Sequence, residues 1–246
     1  MASIVWDQEL AEVYDDVYAA KEQHSVLAPM LDLLTELARG GPAVEFAVGT
    51  GRVALALSAR GVSVSGIELS PDMTKRMRAK PGSEAVFVTV GDMTSTRVPG
   101  QFGLVYVVAN SLMNVTTQEE QVAVFVNAAR HLEPAGCFVV ELMVPQLRLF
   151  PPGQAARVFT LDPDHVAIET LDDPLGQITS SHHWMRVHGR LVQHSAPYRY
   201  VWPGELDLMA RLAGFRLRDR WAGWDRSPFT SDSTSQVAVY EKTNST

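Results

Sequence analysis

Residues 43–54 decide the fold, and they read AVEFAVGTGRVA. The apolar run 43–48 predicts a short buried strand, and residues 52–60 that follow it have the pattern of a helix. Between the two stand Gly49 and Gly51, which let the backbone turn tightly and bring the first amides of the helix close to a bound molecule. This succession of strand, glycine turn and helix indicates a site of the nucleotide-binding type.

The alternation of strand and helix continues on both sides of this stretch. Predicted strands at 62–67, 85–90, 104–109 and 137–144 are separated by predicted helices at 71–79 and 117–131, and a further helix at 26–39 precedes the first strand. Parallel strands need crossover connections, so the helices are expected to cover both faces of the sheet. With two later strands at 215–221 and 236–241, the sequence predicts a doubly wound α/β fold whose seven-stranded, Rossmann-like sheet is mostly parallel.

The pattern changes after Pro145. A break at residues 151–153 is followed by predicted strands at 165–170, 178–187 and 191–201, which have the short connections of antiparallel strands. The sequence therefore predicts a core made of residues 1–144 and 203–246. Residues 145–202 are predicted to form a small antiparallel insertion after the fifth strand.

Charge and cysteine content exclude several classes of protein. The 246 residues include 21 Lys and Arg against 28 Asp and Glu, and the net charge of -7 disfavours nucleic acid and membrane surfaces as partners. The single cysteine, Cys137, excludes an intrachain disulfide, and no spacing of ligands predicts a metal site. The first residues lack the features of a signal peptide, and no apolar run approaches ~18 residues, so we expect a cytoplasmic protein.

Polar side chains stand at or near the carboxyl ends of four predicted strands, at Glu45, Glu68, Asp92 and Asn110. Glu68 can accept both ribose hydroxyls of a nicotinamide or an adenosyl ligand, so it does not discriminate between them. Glu45 would repel a pyrophosphate but suits the ammonium and sulfonium groups of S-adenosyl-L-methionine (SAM). Asp92 can accept a hydrogen bond from an adenine amino group, and the thioether of Met93 can pack on the ring. These residues favour SAM as the ligand.

The same motifs resemble those of the class I SAM-dependent methyltransferases. The resemblance rests on the acid and glycines of residues 45–51, on the sequence GIELSPDM at 66–73, and on Gly91-Asp92-Met93, and it extends over almost the whole chain. Within this class the chain is most similar to small-molecule methyltransferases of the actinobacterial type, including sugar-amine N-methyltransferases. The resemblance implies SAM as the cofactor and S-adenosyl-L-homocysteine (SAH) as its product.

The resemblance also implies roles for individual residues. Those implied to bind SAM are Tyr14, Glu45, Ala47, Gly49, Gly51, Glu68, Leu69, Met73, Asp92, Met93 and Asn110. Glu68 is expected at the ribose and Asp92 at the amino edge of adenine. Tyr14 is expected in an N-terminal lid near the cofactor carboxylate and is also a candidate catalytic residue. Ala47 replaces the family's first glycine and slightly crowds the turn.

The other candidate catalytic residues are His182 and His183, in a predicted strand of the insertion. Neighbouring residues of a strand point to opposite faces, so at most one of them faces the acceptor. Each face mixes polar and apolar residues, and only Trp184, on the same face as His182, favours that histidine slightly as the inward one. An alcohol or phenol acceptor needs a base such as this histidine, whereas an amine needs none, and the sequence leaves both acceptor atoms open.

Three functions therefore remain. The favoured one is a SAM-dependent methyltransferase that acts on a nitrogen or oxygen atom of a small molecule, which we expect to be a secondary metabolite. The alternatives are an NAD-dependent oxidoreductase, which the glycine turn and Glu68 also fit, and a non-catalytic SAM-binding protein. The insertion at 145–202 favours an enzyme, because insertions on such scaffolds commonly build substrate walls. A homodimer is compatible with the sequence.

Overall fold

The structure is a computed structural model, and it describes residues 24–243 together with residues 11, 14 and 15. The predicted N-terminal lid lies largely outside the described residues. Of it, residues 11, 14 and 15 are described, and all are helical. None of the helices within these ranges is long and apolar enough to cross a membrane.

The first part of the chain alternates strands and helices in the predicted order. Along it come α1 (His24–Ala38), β1 (Ala43–Phe46), α2 (Arg52–Ser58), β2 (Val64–Glu68), α3 (Pro71–Arg78), β3 (Phe87–Val90), β4 (Phe102–Val107), α4 (Gln118–His131) and β5 (Leu132–Met143). Ser70 Oγ accepts a hydrogen bond from the amide of Met73 at the start of α3, and Thr117 Oγ1 accepts one from the amide of Glu120 at the start of α4. These side chains satisfy amides that the first turn of a helix leaves open.

Strand β5 begins earlier than the sequence predicts. We expected this strand to begin at Cys137, after a turn that Pro134 and Gly136 favour, but β5 starts at Leu132. Its pairing with β4 passes from Leu132 opposite Phe102 to Cys137 opposite Leu104, so several residues of β5 face one residue of β4. The predicted irregularity is thus a bulge within the strand, with Ala135 at a φ of 61°.

The insertion forms a separate antiparallel sheet, which we call the cover sheet. Its strands are β6 (Ala156–Asp162), β7 (His165–Asp173), β8 (Ile178–Val187) and β9 (Arg190–Arg199), paired in this order. The prediction of three strands was wrong because it omitted β6. This strand lies at the edge of the sheet and most of its residues are exposed, so its sequence lacks the alternation of a half-buried strand.

The chain then returns to the core through α5 (Pro203–Leu212), β10 (Phe215–Trp221) and β11 (Ser235–Lys242). The core sheet has seven strands in the order β10-β11-β5-β4-β1-β2-β3, and β11 is antiparallel to both of its neighbours. The predicted doubly wound, mostly parallel sheet is therefore confirmed, as is the antiparallel sheet after the fifth strand.

Helices cover both faces of the core sheet. Leu33 of α1 and Leu57 of α2 belong to the apolar cluster on one face, and Phe125 of α4 and Leu206 of α5 to the cluster on the other. All residues of β1 and β4 are buried, which explains the continuous apolar sequence of β4 and the apolar residues that flank Glu45 in β1. The chain runs outward from β1 in both directions, through β2 on one side and β4 on the other. In open α/β sheets the crevice at such a point, outside the carboxyl ends of the strands, is where ligands bind.

Candidate active site

The turn after β1 requires an unusual backbone conformation. Ala47, Gly49 and Gly51 have positive φ values of 57°, 57° and 82°. A Cβ on Gly51 would lie 2.7 Å from Cγ of Met77, so no larger residue fits there. At Ala47 the left-handed conformation costs roughly 1 to 2 kcal/mol, which the family's usual glycine would avoid. The turn thus depends on glycine for its conformation and at Gly51 also for space.

Glu68, at the end of β2, is bonded to this turn. Its Oε2 accepts a hydrogen bond of 2.7 Å from the amide of Gly49, and its Oε1 accepts one of 2.9 Å from the amide of Ser70. The side chain is 5% exposed, and burial raises the pKa of Glu68 although these backbone bonds oppose the rise. The carboxyl group is therefore held in one position at the edge of the crevice.

Asp92 and Asn110 occupy turns after the next strands. Asp92 Oδ1 accepts from the amide of Thr94 at 2.8 Å, and Asn110, at a φ of 63°, accepts from the amide of Met143 at 2.6 Å through Oδ1. Glu141 of β5 supports the second turn, since its Oε2 accepts from the amide of Ala109 at 2.8 Å. The sequence analysis assigned no role to Glu141. The available signal was a carboxylate in an otherwise apolar strand.

Glu45 is buried beside strand β4. Tyr106 of β4 is directly opposite it, and the Tyr106 hydroxyl donates a hydrogen bond of 3.0 Å to Oε2 of Glu45. Glu45 is 3% exposed, and burial raises its pKa to about 8 against the opposing hydrogen bond from Tyr106. Its side chain therefore lies on the same sheet face as Tyr106, and contact of Glu45 with the methionine moiety stays a prediction.

The raised pKa of Glu45 predicts a pH-dependent stability. At pH values between its ordinary pKa of 4.5 and about 8, the carboxyl group of Glu45 is ionised in the unfolded chain but stays protonated in the folded chain. The free energy of unfolding should therefore decrease across this window, by a few kcal/mol at roughly 1.4 kcal/mol per pKa unit. Glu45→Gln, which keeps an acceptor for Tyr106, should remove this decrease. Urea unfolding at pH 5 and pH 8.5 measures it, with the exposed Glu84→Gln as the control. If the free energy of unfolding falls equally with pH in the wild type and in Glu45→Gln, the raised pKa of Glu45 is contradicted.

Tyr14 and Asp15 join the N-terminal segment to the turn. Thr50 Oγ1 donates a hydrogen bond of 2.6 Å to Asp15, and Lys80 Nζ donates one of 2.9 Å. Burial alone would raise the pKa of Asp15, but these bonds hold it below its usual value. Burial raises the pKa of the Tyr14 hydroxyl to about 12, so it stays protonated at neutral pH. Asp15, which the sequence analysis did not select, ties Tyr14 to the glycine turn.

These elements surround a cavity of about 290 Å³ between the carboxyl edge of the core sheet and the cover sheet. The predicted site residues that line it are Tyr14, Ala47, Gly49, Glu68, Leu69, Met73, Asp92, Met93, Asn110 and His183. The cover sheet also contributes Arg157, Phe159, Glu169, Thr179, Ser181 and Tyr198. Three predicted residues, Glu45, Gly51 and His182, are not among the lining residues. The sequence could not select the cover-sheet residues because it did not reveal which face of each strand is inward.

The inward histidine is His183, and the slight preference for His182 was wrong. On β8, Thr179 and Met185 are 4% and 7% exposed, so the set that includes His183 is the buried face. His182 lies on the outer face, where its ring nitrogens contact Ser195 and Thr170. The aromatic ring of Trp184 is stacked with His182 on that outer face.

His183 is a weak base in this environment. Its Nδ1 lies 2.9 Å from Nε2 of His165, and its ring packs edge-on against Phe159. Burial, and then the neighbouring His165, lower the pKa of His183 to about 4, so it is neutral at pH 7. Despite this group of histidines, no three His, Cys, Asp or Glu side chains among the described residues are placed to hold a metal ion.

The core side of the cavity fits an adenosyl amino acid. The described residues that the core contributes include the carboxyl groups of Glu68 and Asp92 and no Lys or Arg. Such a lining disfavours the pyrophosphate of a dinucleotide. The thioethers of Met73 and Met93 are polarizable groups that pack well on a purine ring.

Comparisons with known proteins agree with this fit. A family model described as a methyltransferase domain matches residues 43–136. The CcbJ methyltransferase from Streptomyces caelestis is 31% identical, and the match covers 99% of this chain and 100% of that one with a TM-score of 0.83. The cypemycin N-terminal methyltransferase of a Streptomyces species is 26% identical over 97% of this chain and 98% of its own length.

A further solved structure shares the fold at lower identity. It is the SAM-bound amino pentose methyltransferase CalS10 from Micromonospora echinaspora, which is 19% identical with a TM-score of 0.69 over 99% of this chain and 100% of that one. Together with the glycine turn and the carboxyl groups at the strand ends, the full-length similarity at 31% identity decides the family. This chain belongs to the class I SAM-dependent methyltransferases.

Proposed function

We propose that this methyltransferase transfers the methyl group of SAM to an amine nitrogen of a small molecule that is a secondary metabolite. The observation that carries the choice of nitrogen is the state of His183, the histidine that lines the cavity. With a pKa lowered to about 4, it is too weak a base to activate an alcohol or phenol efficiently. An amine presents its own lone pair once it has lost a proton and needs no such base. The cypemycin methyltransferase, a relative, is likewise named for an N-terminus.

The core residues would hold the cofactor, which supplies an electrophilic methyl group when bound. Glu68 is placed to accept hydrogen bonds from ribose hydroxyls, and Asp92 from the adenine amino group, through the carboxylate oxygen that Thr94 does not use. Met73 and Met93 line the cavity and would pack beside the ring. Gly49 and Tyr14 line the side of the cavity where the methionine moiety would lie, and Tyr14 presents a neutral hydroxyl there.

The cover sheet would bind the acceptor and exclude water. Its inner face brings an aromatic ring, three hydroxyl groups and an ion pair to the cavity, from Phe159, Thr179, Ser181, Tyr198, Arg157 and Glu169. Holding an acceptor in line with the methyl group in a dry site is sufficient for this chemistry. Residues 145–202 would thus act as the acceptor cover.

The homodimer stays a prediction.

The first test is a pair of measurements on the purified chain. By calorimetry it should bind SAM and SAH but not NAD. With labelled SAM it should methylate amine-containing metabolites from actinobacteria and leave their N-acetyl derivatives unlabelled, because acetylation removes the amine lone pair while the hydroxyls remain. Label on the acetylated compounds would show transfer to oxygen. Binding of NAD without SAM or SAH would contradict the cofactor site.

A further inference from the structure

The inner face of the cover sheet carries an ion pair at the cavity wall. Arg157 of β6 lies opposite Glu169 of β7, and Glu169 lies opposite Ser181 of β8, so the three side chains form a row across the sheet. All three line the cavity. The side chains of Arg157 and Glu169 are 21% and 18% exposed, which leaves the pair accessible to a small molecule.

The geometry of the pair leaves one carboxylate oxygen open. In the usual fork-like arrangement, two guanidinium nitrogens bind the two different oxygens of a carboxylate. Here Nε and Nη2 of Arg157 both lie 2.6 Å from Oε2 of Glu169. Within the described part of the chain, no hydrogen bond reaches Oε1, and this atom is not among the buried atoms without a partner. Oε1 is therefore an accessible acceptor.

Arg157 is held in this arrangement by two aromatic rings. Its guanidinium carbon lies 5.6 Å from the ring centre of Phe150 and 6.0 Å from that of Phe159. Cation–π contacts of this kind favour the observed position, so the guanidinium is kept on Oε2 rather than across both oxygens. The pair thus differs from one that only links two strands, because one oxygen of the Glu169 carboxylate, Oε1, can accept a hydrogen bond from another donor.

The charges in the cavity favour a cationic occupant. Among the described residues, its lining contains the carboxyl groups of Glu68, Asp92 and Glu169 against the single guanidinium of Arg157. Glu68 and Asp92 lie on the core side, where the cofactor is proposed to bind. Within the described part of the lining, Glu169 is thus the carboxyl group that remains for the acceptor.

We propose that Glu169 determines acceptor specificity by binding an aliphatic amine as its ammonium ion, through a hydrogen bond from the nitrogen to Oε1. The inference rests on the proposed function and narrows it to amines that are protonated in solution. An ammonium group and an alcohol of the same shape can both donate a hydrogen bond to a carboxylate, but only the ammonium adds the attraction of a positive for a negative charge. The hydroxyl of Ser181, in the same row, offers a neighbouring polar contact.

Binding of matched amines and alcohols tests this role. Dissociation constants at pH 7 are measured on the full chain saturated with SAH, for benzylamine and benzyl alcohol, cyclohexylamine and cyclohexanol, and methyl glucosaminide and methyl glucoside. In at least one pair the wild type should prefer the amine by about 10- to 100-fold, because only the ammonium adds an attraction between opposite charges to its hydrogen bond. Glu169→Gln should reduce this preference to below threefold.

A second variant should change the preference in the opposite direction. Arg157→Met removes a competing cation beside Glu169 and should increase the preference for the amine at least threefold. If the ion pair were merely structural, both variants would bind the amine and the alcohol more weakly. The control is Asp164→Asn, in an exposed ion pair with Arg186 elsewhere on the cover sheet, which should leave the preference unchanged.

The outcomes separate this inference from the proposed function. SAH affinity, measured first, should stay within threefold in every variant. The role of Glu169 is overturned if the wild type prefers the amine in none of the pairs, or if its preference persists in Glu169→Gln. If Glu169→Gln no longer binds SAH, the result for Arg157→Met decides the question. An amine preference in Arg157→Met that equals or falls below that of the wild type overturns the role of Glu169. A wild type that fails to bind SAH overturns the proposed function itself.

Discussion

Replacing Arg199 with methionine is expected to lower the free energy of unfolding by about 3 kcal/mol, the lower end of the cost of breaking a buried ion pair, because Glu205 keeps donors from Gln118 and Gln177. Arg199 ends β9 and is 4% exposed. It donates to Gln121 of α4 at 2.6 Å, to Glu205 of α5 at 2.7 Å and to Gln177 at 3.1 Å. The variant would leave these acceptors without their shared donor at the junction between the cover sheet and the core.

Thermal and urea unfolding measure this effect. A loss of this size should lower Tm by roughly 10 °C in a chain of this length. The control is Arg216→Met, because Arg216 also pairs with a glutamate at 2.7 Å but its side chain is 63% exposed. The control should lose at most about 1 kcal/mol. Equal losses for the two variants would show that burial of the pair at Arg199 contributes nothing.

Replacing Glu68 with alanine is expected to weaken SAH binding by about 100-fold or more. Two ribose hydroxyls are proposed to donate to this carboxyl group, and each hydrogen bond to a charged group contributes roughly 1.5 to 3 kcal/mol. The variant also removes the acceptor for the amides of Gly49 and Ser70, so the turn loses its support at the same time. Calorimetric titration with SAH gives the affinity directly.

Two further variants separate the loss of ribose contacts from damage to the turn. Glu68→Gln keeps one carbonyl oxygen and the shape of the side chain, so it should bind SAH with an affinity between those of wild type and Glu68→Ala. The exposed Glu84→Ala, close in sequence but outside the cavity, should bind as wild type does. If Glu68→Ala is folded and binds SAH within threefold of wild type, the proposed ribose contact is wrong.

Most of the core fold could be predicted because its signals are local. The caps Ser70 and Thr117 stand a few residues from the amides they satisfy, and the glycine turn is read from residues 47–51 alone. The strand ends could also be placed at one edge, because parallel strands connected by helices have their carboxyl ends together. For this reason Glu68, Asp92 and Asn110 were expected near one another, and the structure places them around one cavity.

Contacts between distant parts of the chain gave no such signal. Asp15 accepts from Thr50, which is 35 residues away, and Glu141 accepts from Ala109, which is 32 residues away. Neither pair has a spacing that a helix, a strand or a turn would impose. Glu45 shows the same limit, because its hydrogen-bond partner Tyr106 is 61 residues away and is brought opposite it only by the register of β1 and β4.

The sequence by itself determined the doubly wound core, the antiparallel insertion and the row of polar residues that led to SAM. Only the tertiary structure decided that His183 rather than His182 faces the cavity, and that Arg157 and Glu169 meet there. The physical reason is that alternation along a strand defines two faces without saying which is buried. On β8 both faces mix polar and apolar residues, so the inward face was decided by the core against which the cover sheet packs.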